Sequence, residues 1–346
     1  MKKSGFALAL LGALAGGASA QSSVTLFGVV DNAARSTKNG SAGTLTSLAS
    51  GGLFTSRFGF RGKEDLGGGM TANFWLESGI NSDTGAPGDG TRLFNRASWV
   101  SLGSPFGELR LGRDLNPTYV NTFQYDPFVA VGVGTVLSFT SGPSALLGSG
   151  IQTNQRNDNS IGYFLPKTLG GVYGSFMASA GEGTPGKKYV GGRLGYAVGS
   201  FDIAIAYGET ETAVGDDYTQ TGIAGSYKFG PARLMGFYNV VEFGALEQET
   251  FLIGTNVVFG SHRLRASFAV NRLSGGAAGS GFADGDDSRL IALGYVYGFS
   301  NRTNVYATAS RITNDGSARS VVSATPAGML AGENSTGYEI GLSHSF

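Results

Sequence analysis

The stretch "FDIAIAYGE", residues 201–209, alternates between two kinds of side chain. One face of an extended chain carries Phe201, Ile203, Ile205 and Tyr207, and the other carries Asp202, Ala204, Ala206 and Gly208. A period of two is the pattern of a β-strand, whose successive side chains point to opposite faces of a sheet. The stretch therefore predicts a strand with one apolar face and one small or polar face.

The same alternation recurs along the chain in both directions from this stretch. We count sixteen such segments of about ten residues, of which the second lies near 53–63 and the fourth near 93–103. The connections between them are alternately short and long, and the short ones are rich in turn-forming residues. This layout predicts an up-and-down sheet with turns at one end and loops at the other.

The composition agrees with a sheet and argues against helices. Glycine accounts for 58 of the 346 residues, and each interior glycine costs a helix about 0.8–1.0 kcal/mol. The chain has no cysteine, so no disulfide stabilises it. The 25 basic residues balance the 25 acidic ones, which gives no reason to expect binding to nucleic acid.

Residues 1–20 have the layout of a secretory signal peptide. Two lysines come first, an apolar run follows, and Ala18-Ser19-Ala20 provides a small-residue cleavage site, predicting a cut after Ala20. The alternative, a buried N-terminal helix, does not account for the three zones in this order. We therefore expect an exported protein whose mature domain spans 21–346. Nothing beyond Ala20 approaches the ~18 consecutive apolar residues of a membrane helix.

Alternation alone does not separate a membrane barrel from a soluble sandwich or propeller. The segment length, the leader and the alternating connections together favour an all-β fold, a 16-stranded antiparallel transmembrane β-barrel. Only a closed sheet can cross a bilayer, because every backbone polar group must be paired there. Sixteen strands enclose an aqueous channel, whereas eight fill their interior with side chains.

Four stretches resemble the Gram-negative general porins, most closely the beta-proteobacterial type. They are "SVTLFGVVDNA" (23–33), "SRFGFRGKEDLGGGMTANFWLESG" (56–79), "RLFNRASWVSLGSPFGELRLGRD" (92–114) and "GLSHSF" (341–346). The resemblance extends over 22–346. It implies a homotrimer in the outer membrane, in contact with lipid and lipopolysaccharide, through which ions and small hydrophilic solutes diffuse passively. It also implies that the third external loop folds into the barrel.

The constriction loop is predicted at about 114–157. It is a long segment without a clear strand, and such a segment calls for a functional explanation. Its aromatic residues are Tyr119, Phe123, Tyr125, Phe128 and Phe139. Folding inward would bury these rings and place Asp114 and Asp126 in the lumen; the alternative is an outward surface loop or a trimer contact.

The resemblance also implies an arginine cluster on the barrel wall, facing acidic residues on this loop. The matching motifs supply Arg57, Arg61, Arg96, Arg113 and Arg156. Each arginine could instead be a solvated residue at the rim. The Pro-Glu-Phe-Gly sequence of enteric porin loops is absent from 114–157, so the identity of the facing acids stays open. The excess of arginine leans toward anion preference.

Strand alternation gives these arginines their expected directions. Arg57 and Arg61 share a parity that points inward, and Arg96 lies on the face opposite Trp99. Arg113 shares the parity of lipid-facing leucines, so an inward Arg113 requires a β-bulge, which Gly112 permits.

Other functions find less support in the sequence. A barrel enzyme needs a positioned base, and the two histidines, His262 and His344, lie at a short turn and on an apolar face. No metal-ligand spacing, phosphate loop or nucleotide fingerprint appears, so no cofactor is predicted. The aspartate pairs 216–217 and 286–287 could recruit a divalent cation, but solvated loops explain them.

Two further alternatives stay open at this point. A substrate-specific channel with a binding site in its lumen is compatible with the aromatic loop 114–157. An adhesin or a soluble β-rich secreted protein would also carry the leader and the alternation.

The last strand is expected to pair with the first and close the barrel. Its lipid-facing residues would be Tyr338, Ile340, Leu342 and Phe346. By resemblance, these residues form the signal that the barrel-assembly machinery reads.

Overall fold

The computed structural model describes residues 23–140, 154–212, 215–276 and 283–346; the leader predicted at 1–20 lies outside these residues. Within them the chain forms one antiparallel sheet. Its strands are β1 (Ser23–Asn39), β2 (Thr44–Ser50), β3 (Arg57–Gly67), β4 (Met70–Asn81), β5 (Ala86–Pro87), β6 (Ala97–Ser104), β7 (Gly107–Leu115), β8 (Arg156–Phe164), β9 (Val172–Ser179), β10 (Tyr189–Val198), β11 (Phe201–Thr210), β12 (Tyr218–Phe229), β13 (Ala232–Phe243), β14 (Leu246–Phe259), β15 (His262–Ser274), β16 (Ser288–Gly298), β17 (Thr303–Asn314) and β18 (Ser335–Ser345).

Three short helical segments lie within this described part. They are a 3-10 turn at Gly40–Ala42 and two helices, α1 (Pro117–Phe123) and α2 (Leu137–Thr140). Over the same residues, no helix has the length and apolar character needed to cross a membrane.

The sheet closes on itself between its first and last strands. β1 pairs with β18 from Val29 opposite Ser345 to Asn39 opposite Ser335. Beyond the ladder, the backbones of Gly28 and Phe346 exchange two hydrogen bonds, of 3.1 and 3.0 Å. The predicted pairing of the last strand with the first is therefore confirmed, and no strand edge is left open along this seam.

The second wall strand is interrupted, which the sequence reading near 53–63 did not foresee. β2 pairs with the upper half of β1 and β3 with its lower half, so the two together occupy one position in the wall. Between them, the buried carboxylate of Asp31 accepts the backbone N–H groups of Gly52, Leu53 and Phe54 at 2.9, 3.2 and 2.9 Å. These bonds draw the chain off the ladder. With β5 a two-residue extension beside β4, the wall has sixteen strands, as predicted.

The two faces of the sheet differ as the alternation predicts. Ile205 on the outer face is 54% exposed, whereas its neighbours Ala204 and Ala206 are 1% and 5% exposed. Large apolar side chains line the outer face of most strands, because lipid rather than water contacts them. The last strand follows the same rule, and its outer face carries Tyr338, Ile340, Leu342 and Phe346, all exposed.

The segment between β7 and β8 packs on the other face of the sheet, the one that encloses the lumen. Tyr125, Phe128, Val133, Val136 and Phe139 are almost fully buried. They form one apolar cluster with inward-facing wall residues, which include Ala224, Leu252, Leu290 and Ile312. Burial of these rings is why the segment lies against the wall rather than in water.

Polar contacts fix the same segment at several points. Arg193 donates to the Asn121 side chain at 3.1 Å and to the Tyr125 hydroxyl at 3.2 Å. Farther along, the Ser310 hydroxyl donates to the carbonyl of Val133 at 2.6 Å, and the Gln248 amide donates to that of Phe139 at 2.8 Å. The segment is therefore attached to the β9–β18 half of the barrel and leaves the β3–β8 half uncovered.

Candidate functional site

Five arginines gather on the uncovered part of the lumen wall, and we call them the arginine cluster. Four of them are predicted site residues, and the fifth, Arg92, was not anticipated. They are contributed by β3, the β5–β6 connection, β7 and β8. The members are Arg57, Arg92, Arg96, Arg113 and Arg156.

Two of these arginines share the carboxylate of Glu77 on β4. The Nε atom of Arg96 lies 2.5 Å from Glu77 Oε1, and the Nε atom of Arg57 lies 3.5 Å from the same oxygen. Their side chains keep 20% and 26% of their surface exposed. Glu77 orients both guanidinium groups without removing them from the lumen.

Asp158 on β8 plays the same part for two others. Arg113 Nη1 lies 2.5 Å from one oxygen of Asp158, and Arg92 Nη2 lies 3.0 Å from the other. Arg92 also approaches Asp89 in the external loop at 3.5 Å.

The fifth member, Arg156, pairs with no carboxylate among the described residues. Its Nε atom donates to the backbone carbonyl of Arg96 at 2.8 Å, and its Nη1 atom donates to the Gln155 side chain at 3.2 Å. On the lumen wall, four guanidinium groups thus share the carboxylates of Glu77 and Asp158 and Arg156 pairs with neither, so the site has a surplus of positive charge.

The predicted bulge at Gly112 is confirmed. The register between β7 and β8 shifts between Gly112 and Asp114, and Gly112 has a φ of 134°, which side chains disfavour. A Cβ atom there would lie 2.2 Å from the carbonyl oxygen of Ser98. The extra residue turns Arg113 from the lipid face to Asp158.

The parity argument for Arg96 was wrong, although Arg96 does reach the cluster. Trp99 lies opposite Trp75 in the β4–β6 ladder, on the face that also carries Glu77, so Trp99 faces the lumen. Arg96 precedes the first residue of β6, Ala97. Strand alternation does not extend to a residue outside the strand, so Trp99 gives no information about its direction.

Arg61 faces the lumen but lies apart from the cluster. It lies four residues after Arg57 on β3, toward the short-turn end of the barrel. Its guanidinium carbon lies 5.4 Å from the ring centroid of Phe27 and 5.5 Å from that of Trp75. Its neighbours are therefore aromatic rings rather than Glu77.

Asp114 belongs to the wall rather than to the loop. β7 extends through Leu115, and Asp114 forms an ion pair of 2.9 Å with Arg110, four residues earlier on the same strand. It is 8% exposed. Its charge is neutralised by Arg110, not directed across the lumen toward the cluster.

Asp126 was expected to face the lumen, but the structure buries it at 1% exposure. Its carboxylate accepts the N–H groups of Phe128 at 2.8 Å and Ala130 at 3.1 Å, and that of Val136 at 3.5 Å. Burial raises the pKa of the Asp126 carboxyl despite these donors. The group holds the fold of the loop together instead of forming an acidic wall, because its two oxygens are occupied by these backbone N–H groups.

The loop therefore presents an uncharged surface to the arginine cluster. Asp126 is the one charged residue between 116 and 155. Among the described loop residues, Gln124 and Val129 are exposed, and Tyr119, Phe123, Ala130 and Val131 are partly so. Within the described residues, the acidic partners of the arginine cluster are Glu77 and Asp158 on the wall and Asp89 in the external connection, and none comes from this loop.

Sequence reasoning missed Glu77, Asp158 and Arg92. A signal existed for two of them. Glu77 has the parity of Trp75 and lies opposite Gly59, an inward position on the strand of Arg57. Asp158 follows Arg156 by two residues, although the positive φ of Asn159 shows that the strand is irregular there. Arg92 lies in an external connection, where no periodicity applies.

Comparisons with known proteins give consistent results over nearly the whole chain. A family model described as Gram-negative porin matches residues 7–317. Outer membrane porin protein 32 of Delftia acidovorans is 35% identical, and the alignment covers 100% of both chains. An outer membrane porin protein of Bordetella pertussis is 29% identical over 91% of this chain and 95% of its own.

Solved structures with the same architecture include a protein described as an anion-selective porin from Comamonas acidovorans. It is 33% identical, covers 94% of this chain and 100% of its own, and superposes with a TM-score of 0.83. A trimer form of the outer membrane protein OmpT of Vibrio cholerae has a TM-score of 0.65 at 13% identity, a likeness of fold alone.

Proposed function

We propose that this chain, which belongs to the Gram-negative porin family, prefers anions, and that the arginine cluster sets this preference. As a porin it forms a channel in the outer membrane through which ions and small hydrophilic solutes diffuse passively, and it is not an enzyme. The proposal concerns which solutes this channel favours and which residues decide it.

The observation that carries the proposal is the charge imbalance on the two sides of the lumen. The wall offers five guanidinium groups and the carboxylates of Glu77 and Asp158. The loop opposite has one charged residue, Asp126, which is buried. Rings of like charge in a narrow pore raise the local concentration of counter-ions, so anions are enriched and cations depleted here.

This arrangement differs from a transverse field between a basic wall and an acidic loop. Glu77 and Asp158 lie within the arginine cluster, so the acids and bases alternate along one wall. An anion at this wall meets guanidinium groups without facing an opposing carboxylate on the loop. The 33% identical protein from Comamonas acidovorans, described as anion-selective, supports the same preference.

Reversal potentials in a planar bilayer test the proposal. Purified protein is inserted into a neutral lipid bilayer with a KCl gradient across it, and the zero-current potential is recorded. We expect the sign that corresponds to chloride permeating faster than potassium. A potential of zero, or one with the sign of potassium permeation, would refute anion preference while leaving the channel itself established.

The constriction roles of the remaining predicted residues are part of the same proposal, in modified form. Arg57, Arg96, Arg113 and Arg156 act as the selective wall, whereas Arg61 acts farther along the pore. Asp114 and Asp126 contribute indirectly, since the first balances Arg110 and the second fixes the loop.

We also propose that the barrel assembles as a homotrimer surrounded by outer-membrane lipid and lipopolysaccharide. The exposed apolar outer face supports contact with lipid, and chemical cross-linking in detergent tests the trimer. The exposed residues Tyr338, Ile340, Leu342 and Phe346 are proposed as the signal for the barrel-assembly machinery. Cleavage of residues 1–20 predicts Gln21 as the first residue of the mature protein, which N-terminal sequencing would detect.

A further inference from the structure

Four aromatic rings form a row on the lumen wall just below the arginine cluster, toward the short-turn end. We call Phe27, Trp75, Trp99 and Phe164 the aromatic row. The ring centroids of Phe27 and Trp75 are 4.7 Å apart, and those of Trp75 and Trp99 are 6.2 Å apart with planes inclined by 20°. The row continues to Phe164 through Arg110, whose guanidinium carbon lies 4.3 Å from the Trp99 centroid and 4.0 Å from that of Phe164.

These rings are partly exposed to the lumen, and packing of the barrel does not explain why large aromatic side chains lie there. Three aromatic residues of the constriction loop, Tyr125, Phe128 and Phe139, are packed in an apolar cluster, but all four members of the row are only partly buried. Helix α1 of the loop contacts β9–β12, across the barrel from most of the row. Indole and phenyl faces exposed to a water-filled lumen provide a stacking surface for a planar solute.

Two cations beside the row lack acidic partners in the described part of the chain. Arg61 lies over Phe27 and Trp75, and Lys63 follows it on the same face of β3; both are exposed. Arg110 is different, since it forms ion pairs of 2.9 Å with Glu108 and with Asp114. Arg61 and Lys63 are therefore the groups beside the row that can attract an anion.

Two rings of the row and both cations border a common recess, together with the ion pair of Glu108 and Arg110. It has a volume of about 390 Å³, and its lining includes Arg61, Lys63, Trp75, Trp99 and Arg110. This size lies at the lower end of the range that small-molecule sites occupy. The recess is open to the lumen, so a solute could enter it from the pore without any rearrangement of the barrel.

The recess is also connected to the arginine cluster. The indole Nε1 of Trp75 donates to Glu77 Oε2 at 3.0 Å, and Glu77 holds Arg57 and Arg96. An anion that passes the cluster next meets the aromatic row.

We propose that this recess is a weak binding subsite for aromatic monocarboxylates on the permeation path. The ring of the solute stacks on the wall made by Trp75 and Trp99, and its carboxylate pairs with Arg61, with Lys63 nearby. Binding must be weak, because a conducting site has to release its solute. The inference rests on the proposed anion preference, since such a solute has to reach the recess through the pore.

A matched pair of solutes tests the aromatic part of the proposal. Benzoate and cyclohexanecarboxylate have the same charge and similar size, but only benzoate has a π face. Each is added to wild-type channels in KCl, and the concentration that halves the chloride current is measured. We expect the half-blocking concentration of benzoate to be about threefold to tenfold lower than that of cyclohexanecarboxylate. Equal concentrations would refute the proposal.

Single substitutions then assign the effect to the recess. Trp99→Leu is preferred to a change at Trp75, because it leaves the hydrogen bond to Glu77 intact. We expect it to abolish the difference between the two solutes. Arg61→Gln should raise the half-blocking concentration of both solutes by about threefold. The control Arg302→Gln changes an exposed arginine in a short turn, and it should alter neither concentration.

The results also separate this proposal from the preceding one. If wild type prefers chloride but shows no preference for benzoate, the aromatic subsite is refuted and anion preference stands. If benzoate is preferred in a channel that favours potassium, anion preference is refuted and the subsite stands. If Trp99→Leu fails to fold, Arg61→Gln still decides, because an unchanged benzoate concentration in that variant contradicts the proposal.

Discussion

Arginines face the lumen on both halves of this barrel, but the two halves use them differently. On the β3–β8 half, the side chains of Arg57 and Arg96 keep 26% and 20% of their surface exposed. On the other half, Arg193 and Arg265 are 8% and 3% exposed beneath the constriction loop. Access to the lumen, rather than residue type or strand parity, therefore decides whether an inward arginine can act on a passing ion.

The partners of the arginines differ in the same way. Arg193 lies 4.9 Å from the ring centroid of Tyr173, and Arg265 lies 4.5 Å from that of Phe128. Within the described residues these two arginines contact rings and polar groups, and neither forms an ion pair. We infer that they hold the loop in place, whereas the arginine cluster forms the conducting surface that the loop narrows.

The largest effect is expected from neutralising members of the arginine cluster, on the β3–β8 half that the loop leaves open. The triple variant is Arg57→Gln, Arg96→Gln, Arg156→Gln. It keeps two guanidinium groups of the cluster, those of Arg92 and Arg113, which are matched in number by the two wall carboxylates. The surplus positive charge is then gone, and the chloride-to-potassium permeability ratio should fall by at least about tenfold, corresponding to about 1.4 kcal/mol. The reversal potential in a KCl gradient measures this change.

The matched variant neutralises the covered half, by Arg193→Gln and Arg265→Gln together. Its reversal potential should keep the sign of the wild type, because these groups do not contact the permeating ion. A shift as large as that of the triple variant would abolish the distinction between the two halves.

The next effect concerns the constriction loop, which covers the β9–β18 half. Asp126→Ala removes the acceptor for the N–H groups of Phe128 and Ala130, and each unsatisfied buried donor costs about 1–3 kcal/mol. We expect the loop to lose its fixed position and the single-channel conductance to become larger and noisier, while the barrel itself stays folded. Asp126→Asn keeps one acceptor oxygen and should give an intermediate result. A conductance unchanged in both variants would mean that Asp126 does not position the loop.

A smaller effect is expected where the loop meets the covered arginines. Arg265→Met keeps most of the side-chain volume but loses the contact with the Phe128 ring, which is worth about 1–2 kcal/mol when desolvated. We expect faster proteolysis of the loop and more current noise, with the ion preference unchanged. Arg263→Met on the same strand, with its exposed side chain, is the control and should behave as wild type.

Much of this architecture could be predicted from sequence because it depends on local periodicity. The outer faces of the strands follow the period of two, and the bulge beside Arg113 follows from a parity conflict next to Gly112. Where strands are regular and one face meets lipid, a single shift of register would expose every residue to the wrong solvent.

The predictions that differ from the structure concern residues whose surroundings are set by distant parts of the chain. Asp126 is a polar residue in a long loop, and nothing local indicates that backbone amides up to ten residues away converge on it. The break between β2 and β3 depends on Asp31, more than twenty residues earlier. Arg96 lies one residue before its strand begins, where alternation has no meaning.

The last prediction tests whether the wall carboxylates reduce the anion preference that the arginine cluster gives the channel. Glu77→Gln removes one negative charge but keeps an oxygen that can accept from Trp75 and Arg96. Two charges about 4 Å apart interact by about 1 kcal/mol when water surrounds them, so the chloride-to-potassium ratio should rise by up to about fivefold. The matched change Glu108→Gln removes a carboxylate that pairs with Arg110, outside the cluster, and should raise the ratio less. Equal effects would show that selectivity is set by the summed charge of the lumen and not by the cluster. A fall in the ratio for Glu77→Gln would show that Glu77 is needed to hold Arg57 and Arg96 toward the ion path, so that orientation outweighs charge on this wall.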